Sequence, residues 1–110
     1  MTTLAGEFVD LKSLIPGSLV EVETRSRHYL IECLGGNSIR ISGHPDYCPM
    51  PVPAELGSVS EEGVVEIGLI GPGLPLMIML DGVRPITTSR VLRIWLDEAE
   101  NRADGPSRIQ

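Results

Sequence analysis

Aromatic side chains are scarce in this chain: Phe8, Tyr29, Tyr47 and Trp95 are all that 110 residues supply. A surface that stacks unpaired bases needs several exposed rings, so recognition of single-stranded nucleic acid is disfavoured. The core must instead be built from Val, Ile, Leu and Met. Positive charge is also short. Nine Lys and Arg, of which Lys12 is the single lysine, face 15 Asp and Glu, for a formal net charge of -6. A field of that sign repels polyanions, and neither nucleic acid nor an anionic membrane is an expected partner.

Long apolar runs are missing too. The longest uncharged stretch, Ile67–Leu80, is too short for a bilayer and is broken by Gly68, Gly71, Pro72, Gly73 and Pro75. No phosphate-loop signature is present, because Gly35-Gly36 and Gly71-Pro72-Gly73 are followed neither by Lys-Ser/Thr nor by a helix start. The opening Met1–Lys12 carries Glu7 and Asp10 and lacks the basic start and apolar core of a secretory signal. The expected location is therefore cytoplasmic, with Cys33 and Cys48 as reduced thiols.

What the chain has in abundance is punctuation. Twelve Gly and nine Pro are spread between short apolar runs, a pattern of many turns that favours strands over helices. Leu19–Glu23 alternates, placing Val20 and Val22 on one face; Tyr29, Ile31 and Cys33 share a face, as do Ile39 and Ile41 beyond the Gly35-Gly36-Asn37 turn. These three strands read as a meander. Phe8–Ile15 reads as a short helical turn or an edge strand before the Pro16-Gly17 turn. Gly43–Pro53, with four prolines, reads as a loop or an edge and not as a central strand. Val64–Ile70 reads as one strand, and Asp81-Gly82 marks a hairpin between Leu76–Leu80 and Val83–Ser89, with Pro85 at an edge position. Arg90–Leu96 fits strand or helix, and strand is favoured because it would pair with that hairpin.

The expected fold is all-β: a small closed or partly open barrel, SH3-like or related, of five to seven short antiparallel strands. Residues 1–96 form a single β domain, and residues 97–110 a frayed helical turn or disordered tail. The C-terminal half, with Gly68-Leu69-Ile70, Leu76–Leu80, Thr87-Thr88-Ser89-Arg90-Val91 and Ile94, resembles small bacterial all-β proteins that end in a Thr-Ser-x-Val-x-x-Ile strand. That resemblance implies β structure through Ile94 and no functional residues, the group having no assigned biochemical role.

Two clusters could carry chemistry. His28, Cys33, His44 and Cys48 are ligand types that suit zinc, and a hairpin beside a Pro-stiffened loop could gather them. The spacing is unlike a Cys-x2-Cys knuckle, and His28 and Cys33 would point to opposite faces of a regular strand; the plainer reading makes Cys33 a core residue and His28 a solvated one. The same cluster could make Cys48 a nucleophile with His44 as its base. The second cluster, Thr24-Arg25-Ser26-Arg27-His28, is a compact basic turn able to grip a phosphate or a partner's carboxylate, or an ordinary exposed turn. The glutamates fall mostly on the solvent phase of strands or in turns, where solubility accounts for them.

The functional expectation is a non-enzymatic binding or assembly module without a cofactor, zinc or thiol chemistry being the alternative. Its binding residues would be Arg25, Arg27, His44, Asp46 and Tyr47, on a loop and a turn carried by a rigid barrel. A protein partner, or a homo-oligomer joined through Met77 and Met79, would cover the doubly apolar Leu76–Leu80 strand.

Overall fold

Backbone pairing in the computed structural model, which describes residues 2–99, forms ten strands: β1 (Thr3–Ala5), β2 (Val9–Asp10), β3 (Leu19–Thr24), β4 (His28–Gly35), β5 (Ser38–Ser42), β6 (Val52–Val59), β7 (Val65–Ile67), β8 (Leu69–Ile70), β9 (Pro75–Leu80) and β10 (Ile86–Asp97). One 3-10 turn, Leu11–Ser13, starts at Asp10, whose carboxylate accepts the Lys12 amide at 3.0 Å.

Antiparallel pairing runs β3–β4–β5–β6–β9–β10 and returns from β10 to β3, closing a six-stranded barrel. Closure depends on β10. Over Ile86–Arg90 it pairs with β9, over Val91–Asp97 with β3, and a register shift marks each ladder, between Thr87 and Arg90 and between Val91 and Arg93. Such bulges bend a strand and turn it from one partner to the next. β1 adds to the free edge of β10 through Thr3↔Leu96, Leu4↔Trp95 and Ala5↔Ile94.

The period-two alternation fills the interior. Val20 and Val22, Tyr29, Ile31 and Cys33, Ile39 and Ile41, Leu56, and Leu76 and Ile78 are all buried, with Val91 and Ile94 completing the ring from β10. Each aliphatic side chain withdrawn from water contributes about 1.5–3 kcal/mol. One end of the barrel, where the Gly35–Asn37 turn lies, is plugged by the β2–β8 pair and the 3-10 turn: Leu11 is buried and its amide bonds the Gly68 carbonyl at 2.8 Å. The other end, where β3 passes into β4, holds the polar residues Thr24 and His44 among the buried set.

The meander, the Asp81-Gly82 hairpin and the strand reading of Arg90–Leu96 stand as expected. Others need correction. Residues 43–51 are a loop, but Val52-Pro53-Ala54 begin β6, which is central and paired on both sides. Pro53 is tolerated because it lies before the pairing with β9 starts at Ala54, at the strand's first turn into the sheet. Val64–Ile70 is two strands, because Gly68 at φ +87° redirects the chain from β6 toward β2. Phe8–Ile15 is strand and then 3-10 turn, in that order. The return of the hairpin starts at Ile86, with Pro85 outside it. Asp97 closes β10, and the rest of the expected tail from residue 100 onward lies outside the described residues.

Candidate functional site

Inward alternation places Thr24 and Tyr29 side by side in the interior at the unplugged end of the barrel, so the lining there changes from aliphatic to polar. The β3–β4 connection is clasped by Thr24, whose amide donates to the Arg27 carbonyl at 2.8 Å and whose Oγ1 accepts the Arg27 amide at 3.2 Å. This clasp fixes the two central residues, Arg25 and Ser26, and brings Arg27 back against the barrel. The loop after β5 crosses close to β4 at Gly43, where a Cβ would strike the His28 carbonyl and φ is +128°. Only glycine fits there, and the next residue, His44, is thereby seated beside Tyr29.

The third wall is the start of β10. Its bulged stretch Thr87-Thr88-Ser89 faces Arg27, Tyr29 and His44 across a cleft of about 180 Å³. Thr88 Oγ1 accepts the Leu76 amide at 3.0 Å and donates to the Ser89 carbonyl at 2.6 Å, which pins the bulge to β9. The Ser89 hydroxyl is fully buried and has no partner among the described residues.

Electrostatics single this cleft out. No carboxylate lines it, although the chain as a whole is acidic. Among the described residues the Arg27 guanidinium has no ion-pair partner and the Tyr29 hydroxyl no hydrogen-bond partner. Burial pushes the Tyr29 phenol above its ordinary range, while the nearby Arg27 charge opposes that rise. His44 Nδ1 accepts the Asp46 amide at 3.2 Å, which leaves Nε2 as the ring's donor. The Tyr47 ring packs on His44 with centroids 4.7 Å apart and holds the imidazole in place. The arrangement is a set of donors from three chain segments that a ligand with acceptor oxygens would satisfy.

Of the residues read as binding from the sequence, Arg27 and His44 meet in this cleft. Arg25 is exposed on the turn, and Asp46 contributes its amide to His44 while its side chain is exposed. Tyr47 faces away into a neighbouring apolar groove of about 280 Å³ with Val52, Pro53 and Leu80. Thr24 and Ser26 belong to the basic turn singled out from the sequence, whereas Tyr29 and the Thr87-Thr88-Ser89 run were missed as site residues. The available signal was three consecutive hydroxyl residues leading into an alternating strand.

The zinc cluster does not assemble. His28 and Cys33 lie five positions apart on β4 and take opposite faces: Cys33 is in the core, whereas His28 is outside, 3.2 Å from Glu21 and 3.8 Å from Glu23. Among the described residues no group of three His, Cys, Asp or Glu could hold a metal ion, so His28, Cys33, His44 and Cys48 do not form one site. Burial, with Glu32 adding to it, pushes the Cys33 thiol up. Cys48 is bridged to His44 through backbone bonds and is completely buried, so its sulfur is closed to substrate.

No protein-family model, curated protein or solved structure matches this chain. The class is defined by the fold: a small closed antiparallel β-barrel domain.

Proposed function

We propose that this barrel is a non-enzymatic binding module whose recognition end is the cleft between the Thr24–Arg27 turn, His44 and the Thr87-Thr88-Ser89 bulge. The observation that carries this reading is the convergence of polar side chains without protein partners, Arg27, Tyr29 and Ser89 above all, on one cleft of a barrel otherwise packed with aliphatic residues. Buried polar groups are ordinarily satisfied within a protein, and the Ser89 hydroxyl beside this cleft is not. The cleft is smaller than the roughly 300–1,000 Å³ of sites that enclose whole drug-sized molecules. It suits one functional group of a ligand or partner.

The test is a panel of small anionic, neutral and cationic ligands in thermal-shift and NMR titrations, run against the wild-type chain and Thr87→Trp. Thr87 is exposed at the cleft mouth, so an indole there blocks entry without entering the core. Ligands that bind the wild-type chain should fail to bind the blocked variant; binding that survives the block refutes the location.

Self-association is a second reading, favoured by a different surface from the methionine strand. Closing the barrel covers the inner face of β9, and Met77 and Met79 are only partly exposed. Leu4 and Leu30, by contrast, are 58% and 45% exposed in one outer row, Leu4, Trp95, Glu21 and Leu30, across β1, β10, β3 and β4. Sedimentation of wild-type chain and Leu30→Glu checks it: a monomer at high micromolar concentration in both excludes assembly through this row.

A further inference from the structure

We infer that the cleft binds a single phosphate group, free or as a small monoester, with Arg27 as the charge partner and Ser89, Tyr29 and His44 as its hydrogen-bond donors. The inference rests on the binding reading above and names its ligand. Charge is the first argument. The cleft is free of carboxylates and holds a guanidinium with no counter-ion among the described residues, so its natural complement is an anion.

Donor geometry is the second argument. A carboxylate is planar and offers two oxygens, whereas the donors here come from three directions: Arg27 and Ser26 from the turn, Tyr29 and His44 from the β4 side, Thr87 and Ser89 from β10. A tetrahedral anion presents oxygens to all three walls at once. The Ser89 hydroxyl lacks an acceptor or donor partner and is closed to solvent in the free protein, so it reaches a ligand by rotating about χ1 into the cleft that its residue lines. The bulge that places it there interrupts the β9–β10 ladder at that point. Bulges commonly re-aim side chains beside functional sites.

Size and field supply the third argument. A volume of about 180 Å³ corresponds to roughly six waters in the liquid, room for a phosphate and its immediate ester carbon. The formal net charge of -6 works against any extended polyanion approaching the same end. A lone phosphate is the ligand that satisfies the local donors without meeting much of the global repulsion.

The experiment titrates the full, isotope-labelled chain with inorganic phosphate, with O-phosphoserine, and with acetate, at matched ionic strength set by sodium chloride. Saturable shifts of the Arg27, Tyr29, His44 and Ser89 amides are expected with phosphate and not with chloride. Arg27→Gln should weaken binding at least tenfold and Ser89→Ala about fivefold. Arg40→Gln, which touches only the exposed Glu32 pair, should change nothing and serves as the control. Tighter binding of phosphoserine than of inorganic phosphate identifies an ester as the ligand; tighter binding of inorganic phosphate identifies the free ion. Acetate binding as tightly as phosphate in this cleft would overturn the phosphate assignment while leaving the binding module intact. Absence of saturable phosphate shifts, or shifts unchanged by Arg27→Gln in a variant that retains a folded spectrum, would overturn it as well.

Discussion

Replacing Ser89 with Ala should make the protein more stable and a poorer binder, and the opposite signs make this the sharpest test of the site. The Ser89 Oγ is fully buried with no hydrogen-bond partner, and a buried hydroxyl in that condition costs about 1–3 kcal/mol relative to one that is bonded or hydrated. Alanine removes that cost and sacrifices only the small contacts of one oxygen, so the net gain should be about 1 kcal/mol. For a domain of this size that is a rise of about 4 °C in midpoint temperature. Both chains should be melted by circular dichroism with and without inorganic phosphate. At a phosphate concentration ten times its Kd the wild-type chain gains about 1.4 kcal/mol by mass action. With binding weakened fivefold, Ser89→Ala gains about half as much. Phosphate therefore narrows the gap between the two. A Ser89→Ala chain that melts lower than wild type without phosphate refutes the reasoning, because it shows that the hydroxyl is satisfied in the free protein.

Gly57 lies where the β7 backbone crosses β6: an added Cβ would come within 2.6 Å of the Glu66 carbonyl oxygen, so Gly57→Ala should cost about 1–3 kcal/mol. Hydrogen exchange should show the loss first at the amides of residues 65–67, and a variant as stable as wild type with full protection there would exclude the crossing. Tyr29, whose phenol is raised by burial, is protonated in the folded state at pH values where the unfolded chain ionises. Its stability contribution is complete below about pH 10 and is lost as pH rises toward the folded value; denaturant melts between pH 9 and 11 should show this loss in wild type and less of it in Tyr29→Phe. The Glu23 carboxyl is held below its ordinary range chiefly by its hydrogen bond from Arg93 Nε at 2.7 Å. Its contribution is present above the unfolded value and disappears as pH falls through the folded one, and Arg93→Gln should move the Glu23 carboxyl titration upward in an NMR pH series; an unmoved titration would show the pair to be absent in solution.

The strands that alternate cleanly were legible because burial on one face leaves a period of two in the residues themselves. Val20-Glu21-Val22 and Ile39-Arg40-Ile41 announce both strand and inward face. β6 was hidden for a converse reason. Its eight residues, Val-Pro-Ala-Glu-Leu-Gly-Ser-Val, contain little intrinsic strand preference, and what makes them a strand is pairing with three neighbours, β5, β7 and β9. β1 was hidden likewise, since its partner lies about ninety positions away, at Leu96 and its neighbours.

Arg27 and His44 could be picked out as candidates from their chemistry, but their meeting could not be. The grouping of His28, Cys33, His44 and Cys48 shows the limit most clearly: four suitable ligands in twenty-one positions suggested a site, and a strand's alternation separates the first two onto opposite faces. Tyr29 carried two messages, of which only the apolar one could be read. Its ring follows the inward alternation, whereas the place its hydroxyl reaches depends on how β10 closes the barrel.

By itself, then, the sequence determined the class of fold, the inward rows and most of the turns, because these follow from local periodicity and from the backbone freedom of Gly and the rigidity of Pro. Tertiary structure decided the closure, the strand β6 and the cleft, because each depends on register between segments distant in sequence. The two bulges of β10 are the physical hinge of that decision: they turn one strand from β9 to β3 and, in doing so, set Thr87 and Ser89 opposite Arg27 and His44.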